Sequence, residues 1–496
     1  MLHPSFHALP FEEVVPEAVA VKGLSKSSLL TQRRRIRVPP QTGITYGANG
    51  AGGGGRQLQF VVADAGGLLD PASIDIVYNI QTSGTVVSAD DGHPFTRIQV
   101  NLNGQNLEDN AQCAKYTNAE VKLSCGNGWY RSEGSFAGFE NLNHELQNGA
   151  PVAAATPVTG ALLNNFASAW GCVVANQPTI SARQAANVTA YNPIGGEQRC
   201  MPLGLMSGVG RMRQFLPLNT LGEINLTLFT GSAGEVVFQA PNAVNGDFSL
   251  AGVYLEYDIV VPHPALAEML HKMANDPSEP GLNMPFESTI MAAGVTIAAS
   301  DSLTETSIIV SRATQNLLRS FLVQQPTTLL NAKNYPSQSC FGHAGTYRIQ
   351  WRIGSQYFPA IPAEGDASMW CMTQSAYGSA NANEDGNAIN RELWRTYTTA
   401  IGAGAGWTTL PTTSDGFQKF AFGDSFIPCY GFQLVKGDAE PLAVDGISLS
   451  GASGSQAVVV ITSAPATAGG SVTPTVGLVA LRFISAHAGS VRVLGA

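Results

Sequence analysis

Charge is what this sequence has least of. Asp, Glu, Lys and Arg make up 13% of its 496 residues, against roughly a quarter in ordinary soluble proteins. A free surface normally carries more charge to stay in solution, so much of this one is expected to be hidden in an assembly. The formal net charge of −9 does not suit nucleic-acid binding by the surface as a whole. Long apolar runs are also missing: none approaches the roughly 18 residues of a membrane span. The first residues, MLHPSFHALPFEEVV, have neither the basic nor the apolar region of a secretory signal. The seven cysteines (Cys113, Cys125, Cys172, Cys200, Cys340, Cys371 and Cys429) are odd in number and include no Cys-x-x-Cys pair. Reduced thiols in a protein made inside a cell fit this pattern better than a disulfide framework.

Chemical motifs are equally sparse. The Gly52–Gly55 run lacks the Gly-Lys-Ser/Thr of a phosphate loop and is followed by Arg56 and Gln57, so it reads as a flexible loop. Asn381, Asn383, Asp385, Gly386 and Glu392 have the spacing of a calcium loop. Position one is Asn, and no clear helix enters, so a polar surface loop is favoured. His263 and His271 flank a short helical segment without a third ligand in view. Ser207 and Ser453 both fail the glycine test of a nucleophile elbow, and the paired Glu12 and Glu13 read as solvated. No catalytic residue, cofactor site or metal site is assigned.

What the sequence does have is period-two alternation. Ile74, Ile76, Tyr78 and Ile80 alternate with Asp75, Val77, Asn79 and Gln81. Segments around 97–102, 224–228, 253–259, 295–297, 307–310, 347–353, 420–422, 458–461 and 476–483 read the same way. Half-buried strands need this pattern, because successive side chains point to opposite faces. Gly66-Gly67, Asp90-Asp91-Gly92, Asn103-Gly104 and Gly469-Gly470 punctuate the segments as turns. Many short strands with few helices argue for β-sandwiches, and the length exceeds one hydrophobic core. Three helices are predicted: from a cap at Asp109 or Asn110 to about Leu123, from Asp366 to about Tyr377, and from Pro264 to about Ala274.

One phrase occurs twice. Residues 92–100 read GHPFTRIQV and residues 342–351 read GHAGTYRIQW. Arg97 and Arg348 are 251 positions apart (348 − 97), close to half the chain. Each copy is followed by a glutamine six residues after the shared one (Gln105, Gln356), then by an Asp and a predicted helix. Self-similarity at such an offset marks a duplicated unit. The reading that follows is an N-terminal arm over 1–40, a first sandwich over 41–262, a linker with a short helix over 263–284, and a second sandwich over 285–496. The Gly-, Ala- and Asn-rich stretch 126–199 is a long loop insertion of the first sandwich, with a smaller counterpart over 378–416. Arg33, Arg34, Arg35 and Arg37, with Lys22 and Lys26 upstream, form the sharpest charge cluster. It suits either an arm that meets an anionic partner or an arm paired with acidic residues of a neighbouring subunit.

LLDPASIDIVYNI (68–80), RIQVNLNGQNLEDN (97–110), MPLGL (201–205), FLPLNTLGEINLTLF (215–229) and TYRIQWRIGSQYFPAIP (346–362) resemble strand, turn and helix starts of the double jelly-roll major capsid proteins of dsDNA viruses, above all those of polinton-like viruses and virophages. The resemblance implies an all-β chain of two tandem eight-stranded jelly rolls with a few short helices and long loop insertions. It also implies a non-enzymatic function: self-assembly as pseudo-hexagonal homotrimers that tile an icosahedral shell, beside neighbouring trimers, penton and minor or cement proteins, after synthesis inside the host cell. Two alternatives stand beside it: a tandem β-sandwich lectin or adhesin that binds glycan through its loops, and a carbohydrate-active enzyme with two carboxylates in a cleft.

Overall fold

A computed structural model describes residues 30–42, 45–47, 57–63, 66–83, 87–89, 92–125, 129, 133–139, 197–239, 247–279, 281–298, 300, 302–310, 314–327, 338, 341, 346–377, 426–433, 446–449, 457–463 and 471–495. The alternating segments form two sandwiches in tandem. The first contains β1 (Leu30–Val38), β2 (Thr45–Gly47), β3 (Gln57–Val62), β4 (Leu68–Ser83), β5 (Val87–Ala89), β6 (Phe95–Leu102), β7 (Gln105–Asn110), β8 (Glu197–Pro202), β9 (Leu216–Pro217), β10 (Ile224–Thr230), β11 (Val237–Gln239) and β12 (Asp247–Pro262). The second contains β13 (Leu282–Ala293), β14 (Thr304–Val310), β15 (Leu317–Pro326), β16 (Thr346–Ile353), β17 (Gln356–Glu364), β18 (Cys429–Gly431), β19 (Ala457–Ser463), β20 (Val472–His487) and β21 (Ser490–Leu494).

The strand orders match. In the first sandwich the sheets run β1-β12-β4-β8 and β3-β10-β6-β7; in the second they run β13-β20-β15-β18 and β14-β19-β16-β17. Leaving aside the short β2, β5, β9 and β11 and the terminal β21, each sandwich has eight principal strands. Numbered along the chain, both pair first–eighth–third–sixth in one sheet and second–seventh–fourth–fifth in the other. Two antiparallel sheets of eight strands in this order are a jelly roll, and the chain has two.

The repeated phrase is the fourth strand of each roll, β6 and β16. Both turn back through a two-residue loop, so that Leu102 faces Gln105 and Ile353 faces Gln356. Asn103 (φ 47°) and Gly104 (φ 78°) both lie in the left-handed region, whereas in the second loop Gly354 does (φ 59°) and Ser355 does not. These are the two hairpin turns whose twist suits antiparallel strands. The arginine of each copy grips the return strand: Arg97 donates to both carboxylate oxygens of Asp109 (2.8 and 2.7 Å), and Arg348 lies 2.6 Å from Glu364.

Among the described residues three helices exceed ten residues: α1 (Cys113–Ser124), α2 (Pro264–Asn275) and α3 (Gly365–Tyr377). Helix α1 starts later than its expected cap. Asp109 is occupied by Arg97 and Gln99, and the strand runs on to Asn110, whose Oδ1 accepts the Gln112 N–H at 3.0 Å. Helix α2 is capped by His263, whose Nδ1 accepts the Ala265 N–H, and Pro264 supplies a φ already suited to the first turn.

Four further sequence expectations change. The second sandwich opens inside the expected linker, with β13 starting at Leu282. Residues 30–38 are not an arm: they are β1, the first strand of the first roll, paired with β12 from Leu30↔Pro262 to Val38↔Leu255. The charges hid an alternation in which Ile36 and Val38 pack on the core. Residues 197–199, read as the end of the insertion, open β8. The segment 295–297 makes a single bridge, Ile297↔Val472, rather than a strand. Most of 126–199 and the segments 378–416 and 420–422 lie outside the described residues.

Each roll has its own core, and α1 is shared between them. Its Cys113 and Val121 join the first core, while Tyr116, Ala119 and Leu123 join the second. Leu282, Met284 and Phe286 of β13 and Ile484 and Ala486 of β20 extend the first core in turn.

Candidate functional site

Among the described residues no group of three or more His, Cys, Asp or Glu side chains is placed to hold a metal ion. One pair looks like a nucleophile and its base: Cys113 Sγ lies 4.0 Å from His93 Nε2. Both are fully buried. His93 Nδ1 accepts the Phe95 N–H at 3.2 Å, so its proton sits on Nε2 and is donated to Thr117 Oγ1 at 2.9 Å. Burial lowers the His93 pKa to about 3 and raises that of the Cys113 thiol. A neutral imidazole that cannot take the proton and a thiol that cannot lose it form a packing contact, not a catalytic dyad. Cys125, Cys200, Cys371 and Cys429 are free as well; Cys172 and Cys340 lie outside the described residues.

The organised polar chemistry lies in two arginine–carboxylate clusters. The first is a ladder on the outer face of the β1-β12-β4 sheet. Alternation along β1 puts Arg33, Arg35 and Arg37 on that face, with Arg34 on the side of Ile36 and Val38. Arg35 stands opposite Asp258 and Arg37 opposite Glu256. Arg33 bridges Asp70 (2.9 Å) and Asp258 (2.7 Å). Arg35 bridges Asp75 (2.6 Å), Glu256 (3.1 Å) and Asp258 (3.4 Å). Arg37 binds Glu256 at 2.6 Å and stacks on Tyr254, 4.0 Å from the ring centre. Burial pushes the Asp70 and Asp75 carboxyls above their ordinary range against the pull of the arginines. At Glu256 burial pushes the same way, but the bonds from Arg37 and Arg35 outweigh it and its pKa falls.

The second cluster ties the two rolls together. Glu120 of α1 meets Arg211 at 2.8 Å and Arg319 of β15 at 3.2 Å; Arg319 also binds Glu287 of β13 at 2.9 Å. Burial opposes the charge on Arg211, but Tyr116, Glu120 and Glu287 outweigh it and hold the guanidinium more firmly charged than usual. Beside this network Glu108 of β7 is fully buried. Its carboxylate accepts the Ser207 hydroxyl, the Gly208 N–H (3.1 Å) and, from the other roll, the Thr289 N–H (3.1 Å). Arg482 of β20 likewise donates from the second roll to the carbonyl of Leu107 in the first. At Gly208 the backbones come so close that a Cβ would lie 1.5 Å from the carbonyl oxygen of Glu287. Bonds of this kind in a low-dielectric seam fix one relative orientation of two bodies. Beside α3, β17 and β18 form an open groove of about 650 Å³ lined by Phe358, Ile361, Met372, Tyr430, Phe432 and Ile447; Ile361 is 81% exposed.

Of the residues singled out by sequence, Arg33, Arg34, Arg35 and Arg37 are thus brought together on one strand, with the partners of Arg33, Arg35 and Arg37 in their own chain. His263 caps a helix, and His271 packs beside Asn275 on the same helix. Gly52–Gly55 and Asn381–Glu392 lie outside the described residues. The seam residues went unnoticed, because Glu108, Glu120, Arg211, Glu287 and Arg319 are single charges far apart in the chain. The signal they carry is a lone charge on an apolar face, as in Met284-Pro285-Phe286-Glu287, in a chain that spends few charges anywhere.

No protein-family model and no curated protein matches the sequence. Solved structures do match its fold. The Faustovirus major capsid protein aligns with a TM-score of 0.54 at 10% identity, covering 94% of this chain and 92% of that one. A chain of the Sputnik virophage aligns with a TM-score of 0.53 at 12% identity over 94% and 89%. PBCV-1 VP54, fitted into a reconstruction of Sputnik, gives 0.51 at 9% identity over 94% and 97%. The strand order of both sandwiches and these alignments together give the chain the double jelly-roll fold of viral major capsid proteins.

Proposed function

We propose that this chain is a major capsid protein that self-assembles as pseudo-hexagonal homotrimers and tiles the icosahedral shell of a dsDNA virus. One observation carries the reading: two jelly rolls of the same strand order are locked by a charged, buried seam, and the whole resembles the Faustovirus capsid protein over 94% of its length. Three chains with two rolls each present six similar flanks, which is what a near-hexagonal tile requires. The low overall charge and the exposed apolar side chains Ile309, Tyr347, Tyr357 and Ile361 on the second roll suit flanks that are covered by neighbours. Neighbouring trimers, penton and minor or cement proteins are the partners such a tile meets, and the virion shell is its place. A contact of the basic strand, Arg33, Arg34, Arg35 and Arg37, with genome or an inner layer would have to draw Arg33, Arg35 and Arg37 from the four carboxylates of the ladder. Neither the lectin nor the enzyme alternative gains support from the structural matches.

Light scattering on the purified chain should return three times the mass of one chain, and electron microscopy should show six-lobed tiles or hollow particles. A persistent monomer that binds a sugar would overturn the proposal.

A further inference from the structure

We infer that β1 is a releasable strand, held in its sheet by charge rather than by apolar burial, and that it leaves β12 as a unit when its ion pairs are screened. This goes beyond the assembly reading and stands on the ladder alone. Among the described residues β1 is an edge strand, with β12 as its ladder partner. From Gln32 to Val38 every residue is exposed or half-buried, and within that span the apolar anchors on the core are Ile36 and Val38, both only partly buried. Against that small apolar contact stand six arginine–carboxylate contacts, made by Arg33, Arg35 and Arg37 to Asp70, Asp75, Glu256 and Asp258. The arginine side chains are 42%, 44% and 63% exposed, so salt reaches them. At about 1 M salt the screening length is about 3 Å, against about 8 Å at physiological strength, and so falls to the 2.6–3.4 Å scale of these contacts.

The carboxylate side gives an independent reason. Asp70, Asp75, Glu256 and Asp258 are much less exposed than the arginines, at 12–22%, and they crowd one another: Asp258 works against the ionisation of both Asp70 and Asp75. Such a stripe is stable because a row of cations covers it. The strand and the stripe are complementary, and screening weakens the attraction that joins them while leaving the apolar cores intact.

Hydrogen exchange read by mass spectrometry on the full chain tests this at about 50 mM and about 1 M NaCl. The amides of residues 31–38 that bond to β12 should exchange about tenfold faster or more in high salt, while those of β13 keep their rate. The double variant Glu256→Gln, Asp258→Asn should bring the same acceleration at 50 mM NaCl, which separates strand release from any effect of salt on assembly. Equal exchange of β1 at both salt concentrations overturns the inference, and so does a change of β1 and β13 together. Should the variant fail to fold, the salt comparison on the native chain decides by itself.

Discussion

β1 and β13 hold the same place, the first strand of a jelly roll on the edge of its sheet beside the eighth, yet the chain secures them by opposite means. β13 is twelve residues long and alternates buried with partly exposed side chains. It touches both cores; its Glu287 lies 3.7 Å from Arg211 of the other roll, and its Thr289 N–H donates to Glu108 there. β1 is nine residues long and has its arginines in solvent. Both use arginine–carboxylate pairs, so chemistry is held constant while burial differs. In the seam an unpaired charge has no water to turn to; on the ladder it does. The strength of an ion pair is therefore set here by what happens when one partner is lost.

The largest effect is expected where loss leaves buried charge under-compensated. Arg319→Ala removes a partner shared by Glu120, which is 5% exposed, and Glu287, and leaves Arg211 to serve both carboxylates. Breaking such a pair costs about 3–5 kcal/mol, so thermal unfolding should move down sharply, and restoring charge with Arg319→Lys should recover only part of it. Gly208→Ala comes next. Its new Cβ meets a backbone oxygen rather than a flexible side chain, so the rolls must separate locally. Overpacking of this kind costs about 1–3 kcal/mol, with the added signature that β13 amides lose protection in hydrogen exchange.

Glu108 sharpens the comparison through pH. Burial pushes its pKa to about 7, despite the bonds from Ser207, Thr289 and Gly208 and the charge of Arg211. The folded chain therefore holds this proton more tightly than the unfolded chain, in which the pKa is near the ordinary 4.5. The stabilisation from protonation is complete below about 4.5 and is lost as pH rises through about 7, with a limit of about 3 kcal/mol. The titratable groups that face it are Arg211, Arg482 and Cys113. Wild type minus Glu108→Gln, compared by thermal unfolding from pH 5 to pH 8, should show an advantage for wild type that shrinks with rising pH. A difference that is flat in pH would mean that the carboxyl titrates at its ordinary value.

Much of this fold is legible in the sequence, and the reason lies in period and repetition. Arg-Ile-Gln at 97 and 348 marks the fourth strand of each roll, because a strand flanked by a fixed hairpin and an arginine-held return strand needs the same local residues twice. The end of β12 and the start of α2 are readable from Pro262 and Pro264. β1 is not, because charge masks its alternation and its acidic partners lie 37 to 225 residues away in sequence. The seam is hidden for a related reason: Arg319 and Glu120 are 199 residues apart, and no local pattern records a contact that exists only after both rolls have folded. Burial turns isolated charges into a network, and burial is a property of the assembled fold.

The smallest effect belongs to the ladder, and it is the one that separates burial from chemistry. Arg35→Ala deletes contacts with three carboxylates, more than the two lost from Arg319. Counted by contacts, the ladder variant should be the worse of the two. Counted by solvation, it should be mild: the Arg35 side chain is 44% exposed, Asp75 and Glu256 keep some access to water, and Arg33 and Arg37 remain beside Asp258 and Glu256. A loss under about 1 kcal/mol is expected, and it should vanish at about 1 M NaCl, where wild type has already given up the same contacts. Thermal unfolding of wild type and variant at low and high salt reads both numbers. A large loss that survives high salt would show that the strand is held by the packing of the arginine stem over β12 rather than by its charge, and β1 would then join β13 as a strand fixed by burial.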